Sequence, residues 1–263
     1  MNETHPSPPS LWPREHGAYA QLALPVATAL SVAQPRLAAL GLVTTAAAAF
    51  LAHEPIVVLL GRRGERARRN GAHPARRRLV VLGASGVLGA VAGLWNADAT
   101  LLGACAMLAT VVALSGLLVR AKQEKTVGGE VVIGTTLSLA AMPVALASGV
   151  PWLPALNIAA VWAAIFALGT MTVHAVLRRA KSRSVSLSIG VAILGCLFSF
   201  GAVGAVALGA WWAGALLPQG ILSLAIVALR PSPRHLRRIG WSLLAADLVA
   251  LAALITGIRI AVG

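Results

Sequence analysis

Charge is what this chain has least of. Only 11% of its 263 residues are Asp, Glu, Lys or Arg, against 58% hydrophobic, where a soluble domain carries about 25% charged residues. So little charge does not cover a water-exposed surface. A soluble globular protein is therefore excluded, and lipid is the solvent that fits. Acidic residues are scarcest, with eight in all, which leaves few carboxylates from which to build a metal centre. The two cysteines, Cys105 and Cys196, both sit inside apolar runs and read as small core residues rather than as a disulfide or metal ligands. The sequence has no zinc-type His/Cys spacing, no glycine-rich phosphate loop and no Ser-His-Asp arrangement. It also lacks a linker long enough to hide a soluble domain. No cleavable signal peptide is expected, because the first ten residues carry no basic cluster and the first apolar run leads straight into others.

Apolar length is what the chain has in abundance. Interruptions of the apolar runs predict nine membrane-spanning helices near 18–34, 37–60, 79–96, 99–119, 130–148, 152–177, 185–206, 208–229 and 239–261. Most reach the roughly 20 residues that cross about 30 Å of hydrocarbon. The 26 glycines suit helices that pack closely through small residues. Residues 1–13, with four prolines, read as a flexible tail, and 14–263 as one helical transmembrane domain.

The net charge of +14 suggests nucleic acid until its placement is examined. Arg14, the eight arginines between Arg62 and Arg78, Arg120, Lys122 and Lys125, the four basic residues from Arg178 to Arg183, and the four from Arg230 to Arg238 all fall on one side of an alternating nine-span chain. Only Arg36 and Arg259 fall on the other. The positive-inside rule then predicts a cytoplasmic amino terminus and an outer carboxyl terminus. The expected partners are membrane lipids, not nucleic acid.

An ionisable group inside a span is costly and marks a candidate site, with a structural ion pair to an arginine as the alternative. Arg14, Glu15 and His16 enter the first span. His53 and Glu54 lie in the second, shortly before Arg62 and Arg63. Glu130 opens the fifth, after Arg120 and Lys122. Thr170, His174 and Arg178 form one stripe on the sixth, and Arg234 and His235 lie in the loop before the ninth. Within one bundle these groups would converge on a cavity open to the basic side.

Three of these stretches carry a resemblance. Pro13-Arg14-Glu15-His16-Gly17-Ala18-Tyr19, His53-Glu54-Pro55 followed by Gly61-Arg62-Arg63-Gly64, and Gly129-Glu130 after a basic loop resemble the YwiC-like family of bacterial integral membrane proteins. More distantly, the chain is similar to UbiA-type membrane prenyltransferases. That likeness implies nine spans, a cytoplasmic amino terminus, and an active site on the loops after the second and fourth spans. Those enzymes hold magnesium with two aspartate clusters. This chain has no aspartate before Asp98, and offers Glu124 and Glu130 where the second cluster belongs.

Two functions follow. In the first, a UbiA-like transferase or degenerate relative acts on an isoprenoid or other amphiphile with an anionic head. Arg14, Glu15, His16, Arg62, Arg63, Arg120, Lys122, His174 and Arg178 then bind the substrate, while His53, Glu54 and Glu130 handle a proton. In the second, a non-catalytic transporter or binding protein uses Glu54, Glu130 and Asp247 as an ion path. No cofactor is indicated by either.

Overall fold

The computed structural model describes residues 11–12, 16–123, 126–180 and 185–262, and all regular structure among them is helical. The helices are α1 (His16–Ser31), α2 (Leu37–Leu59), α3 (Glu65–Leu94), α4 (Ala99–Arg120), α5 (Val127–Leu139), α6 (Ala141–Ala147), α7 (Trp152–Ala180), α8 (Ser186–Ala207), α9 (Leu217–Leu229) and α10 (Leu236–Val262). A 3₁₀ turn, Trp211–Leu216, leads into α9. Eight segments are long and apolar enough to cross a membrane, counting α5 with α6 and the 3₁₀ turn with α9. The remaining helix, α1, has 16 residues and reaches only about 24 Å. It nevertheless runs parallel to α10. Gly17 and Gln21 line a cavity with Arg237 and Trp241 at one end, and the Ser31 carbonyl accepts from Arg259 Nη2 at 2.6 Å at the other.

Three expectations change. The arginine-rich stretch taken as a loop is helical from Glu65, so α3 begins with a polar half before it enters the apolar region. Gly71 and Ala75 are buried there, one turn apart, while Arg68, Arg69, Arg76 and Arg77 stay exposed. The fifth span is broken between α5 and α6, because Pro143 has no N–H for the Leu139 carbonyl and its ring clashes with that carbonyl. The eighth is likewise a 3₁₀ turn that becomes α-helical only at Leu217–Pro218. Backbone groups freed by such breaks survive in a membrane only when buried in protein. In keeping with this, Ala141–Ala145 are buried throughout.

The core lies around α6 and α7, where Met142, Ile158, Trp162 and Ile165 meet Ala29 of α1 and Leu254 and Ile258 of α10. The Trp162 indole N–H donates to Thr28 Oγ1 at 2.8 Å. The outer helices show large apolar side chains to the exterior, among them Leu88, Leu117, Leu197 and Phe200, a surface suited to lipid. The α2–α3 hairpin is held by near contact of backbones. A Cβ on Gly41 would stand 2.5 Å from the Gly89 carbonyl oxygen, and Thr45 Oγ1 donates to the Gly86 carbonyl at 3.0 Å.

The basic residues gather at one end of the bundle. Arg62, between α2 and α3, donates to the Val119 and Arg120 carbonyls at the end of α4. Arg179 of α7 donates to Ser188 Oγ on α8 and to the Val227 carbonyl on α9. The two exceptions sit at the far end, where Arg259 caps α1 and Arg36 lies against Gly149, just past α6.

Candidate functional site

The site starts from the cap of α5. Thr126 Oγ1 accepts from the Gly129 N–H at 3.0 Å, which starts the helix and places Glu130 in its first turn. A carboxylate there is favoured by the positive end of the helix dipole. Opposite it, α7 presents His174, and Nε2 lies 2.8 Å from Glu130 Oε2. Glu130 is about half exposed and His174 mostly buried. The pair therefore stands at a rim.

Inward of that rim lies a cavity of about 780 Å³ between α1, α5, α7, α9 and α10. Its walls are mainly apolar, with Ile165 and Phe166 of α7 facing Leu243 and Leu244 of α10. Phe166 stacks on the core Trp162 with ring centroids 5.3 Å apart. Among the described residues polar groups are few: Gln21, Glu130, Thr170, Gln219, Arg237 and Asp247. Two glycines make room for the amides. A Cβ on Gly134 would come 3.0 Å from Gln21 Nε2, and one on Gly169 would come 3.0 Å from Gln219 Nε2.

Depth follows from position along the helices. Arg237 begins α10 at the basic end, and Asp247 lies ten residues further, about 15 Å along the axis and near mid-membrane. Gln219 lies a similar distance from the basic end of α9. Both are buried, at 7% and 1% exposure, and neither Asp247 Oδ1 nor Gln219 Oε1 has a hydrogen-bond partner among the described residues. Beyond them the apolar core around Trp162 and Leu254 closes the bundle.

The sequence-predicted residues divide into groups. Glu130 and His174 come together, and Thr170 of the same α7 stripe lines the cavity, whereas Arg178 is exposed. Glu54 and Arg63 form a separate pair outside the cavity lining. Glu54 is 2% exposed and takes both arms of the Arg63 guanidinium, at 2.8 and 2.9 Å. This bidentate geometry is the strong form of a charge-assisted hydrogen bond. His53, one position earlier, is exposed. Arg62 serves the end of α4, and Arg120 and Lys122 are exposed around it. Arg14 and Glu15 lie outside the described residues, as does the side chain of His16. Among the described residues no three His, Cys, Asp or Glu side chains converge as a metal site would need.

Sequence reasoning placed Asp247 only in an ion path and passed over Gln21, Gln219, Arg237 and Trp241. A signal existed for the amides. Of four glutamines, two lie inside apolar spans, where an amide needs a partner as an ionisable group does.

The family model described as YwiC-like protein matches residues 12–145, a stretch that holds the α1, α2 and α5 motifs. No curated protein and no solved structure matches the chain.

Proposed function

Because the chain belongs to the YwiC-like family, a family of membrane proteins, we propose that it is a multi-pass inner-membrane protein that binds an amphiphilic molecule entering from the cytoplasmic side. The observation that carries this reading is the cavity, apolar on its walls and polar at both ends, with the apolar core around Trp162 beyond its deep end. Its volume of about 780 Å³ falls within the 300–1,000 Å³ usual for small-molecule sites. The excess of basic side chains at the open end supports placing that end in the cytoplasm, where it meets anionic lipid headgroups. At the rim, Glu130 and His174 form an acid–base pair that can pass a proton to or from the bound molecule's exposed end.

The geometry favours binding over prenyl transfer. A diphosphate leaving group calls for concentrated cations, yet among the described residues the lining has one arginine, Arg237, against two carboxylates, Glu130 and Asp247. Arg62 and Arg63, two of the residues expected to hold an anionic head, already grip the α4 carbonyls and Glu54. The test is thermal unfolding of the detergent-solubilised protein with cationic, neutral and anionic amphiphiles of equal tail length. At a concentration near 100 times Kd, at least one class should raise Tm by roughly 5 °C or more. Thr170→Trp from α7, or Ala20→Phe from α1, should abolish the rise by filling the cavity. If no class stabilises the protein, or if both filled variants respond like the parent, the reading is wrong.

A further inference from the structure

The deep end of the cavity specifies more than an amphiphile. Asp247 Oδ1 and Gln219 Oε1 are buried acceptors without donors, on α10 and α9. Leaving such groups unpaired in a poorly hydrated site costs free energy, most of all for a carboxylate. No ion pair among the described residues involves Asp247, and the arginine of the lining, Arg237, is about 15 Å away along the helix axis. The complement of two acceptors is a group rich in donors. An alcohol brings one donor, a carboxylate or phosphate brings none, and an ammonium brings three together with the positive charge that a buried carboxylate lacks. A bare metal ion would leave most of so large a space unfilled.

We propose that the deep end of this cavity is a site for the protonated primary amine of an amphiphilic molecule, held between Asp247 and Gln219. Its apolar portion lies along Ile165, Phe166, Leu243 and Leu244, toward the rim. Phe166 adds an aromatic face near the cation's path. This inference rests on the ligand-binding reading above and names the chemistry that such a ligand carries.

The experiment compares octylammonium, octanol and octanoate, which share one tail, as added ligands of the full-length protein in a neutral detergent. The concentration dependence of Tm gives each apparent affinity. Octylammonium should bind most tightly. Asp247→Asn, which keeps shape and loses charge, should weaken it roughly tenfold to a hundredfold and leave octanol nearly unchanged. Gln219→Leu provides a second variant should the first fold poorly, and it should weaken octylammonium by a smaller factor. Equal binding of octanol and octylammonium, or an Asp247→Asn variant that still prefers the amine, overturns the proposal. Tightest binding by octanoate also overturns it, while leaving the ligand-binding reading intact. Failure of all three ligands sinks both.

Discussion

Gly89→Ala adds one methyl group at the closest backbone approach of the α2–α3 hairpin. The new Cβ would lie 2.5 Å from the Gly41 carbonyl oxygen and 2.8 Å from Thr45 Oγ1. A carbon–oxygen contact relaxes only at about 3.3 Å, so α3 must move off α2 by roughly 0.8 Å. The obstacle is backbone on a rigid helix, which cannot swing aside. A gap of about 0.5–1 Å forfeits a quarter to a half of each dispersion contact, and overpacking of this kind costs about 1–3 kcal/mol. Separation also strains the hydrogen bond from Thr45 to the Gly86 carbonyl, worth about 1 kcal/mol. Against this, alanine is a better helix former than glycine by about 1 kcal/mol. The net is a loss of about 1–3 kcal/mol. Gly83→Ala is the control, because it lies on the same helix with no atom within 4 Å of its Cβ; it should be neutral or stabilising by up to about 1 kcal/mol. In thermal unfolding followed by loss of the monodisperse peak, the two variants should differ by roughly 2–16 °C. If Gly89→Ala proves as stable as Gly83→Ala, the α2–α3 packing described above is wrong.

Trp162→Phe removes the indole donor to Thr28 but keeps most of the ring. It should cost about 1–2 kcal/mol in Tm-derived stability, and no loss would mean that the bond contributes nothing. Glu54→Gln and Arg63→Gln should each destabilise, and a double-mutant cycle should give a coupling of about 1 kcal/mol or more, since the pair is bidentate and one partner is buried; additive effects would refute it. With Cys105 and Cys196 replaced by alanine, a membrane-impermeant maleimide applied from outside should label Asn96→Cys and miss Arg69→Cys, with the reverse pattern overturning the orientation.

The sequence by itself determined the solvent, the helices and which ends of the helices share a side. Those properties are additive along the chain: twenty apolar residues span the bilayer wherever they occur, and arginine avoids hydrocarbon whatever its neighbours. For the same reason Glu54, Glu130 and Asp247 stood out as acids at or within spans. Whether each meets a cation, a histidine or nothing depends on the rotation of its helix and the identity of the helix opposite. Neither is encoded in the local pattern of a segment that is apolar on every side. His53 and Glu54 illustrate this, since one residue of rotation puts the first outside and the second on Arg63. The glutamates of α2 and α5 sit at the same end of the bundle, yet only Glu130 reaches the cavity. The tertiary structure alone brought Gln219 of α9 beside the cavity that Asp247 of α10 enters. That meeting depends on the break before Pro218 and on the close seat of the preceding turn against Gly257, where a Cβ would stand 2.5 Å from the Trp212 nitrogen. A cavity is a property of the space between helices, and a sequence describes only the helices.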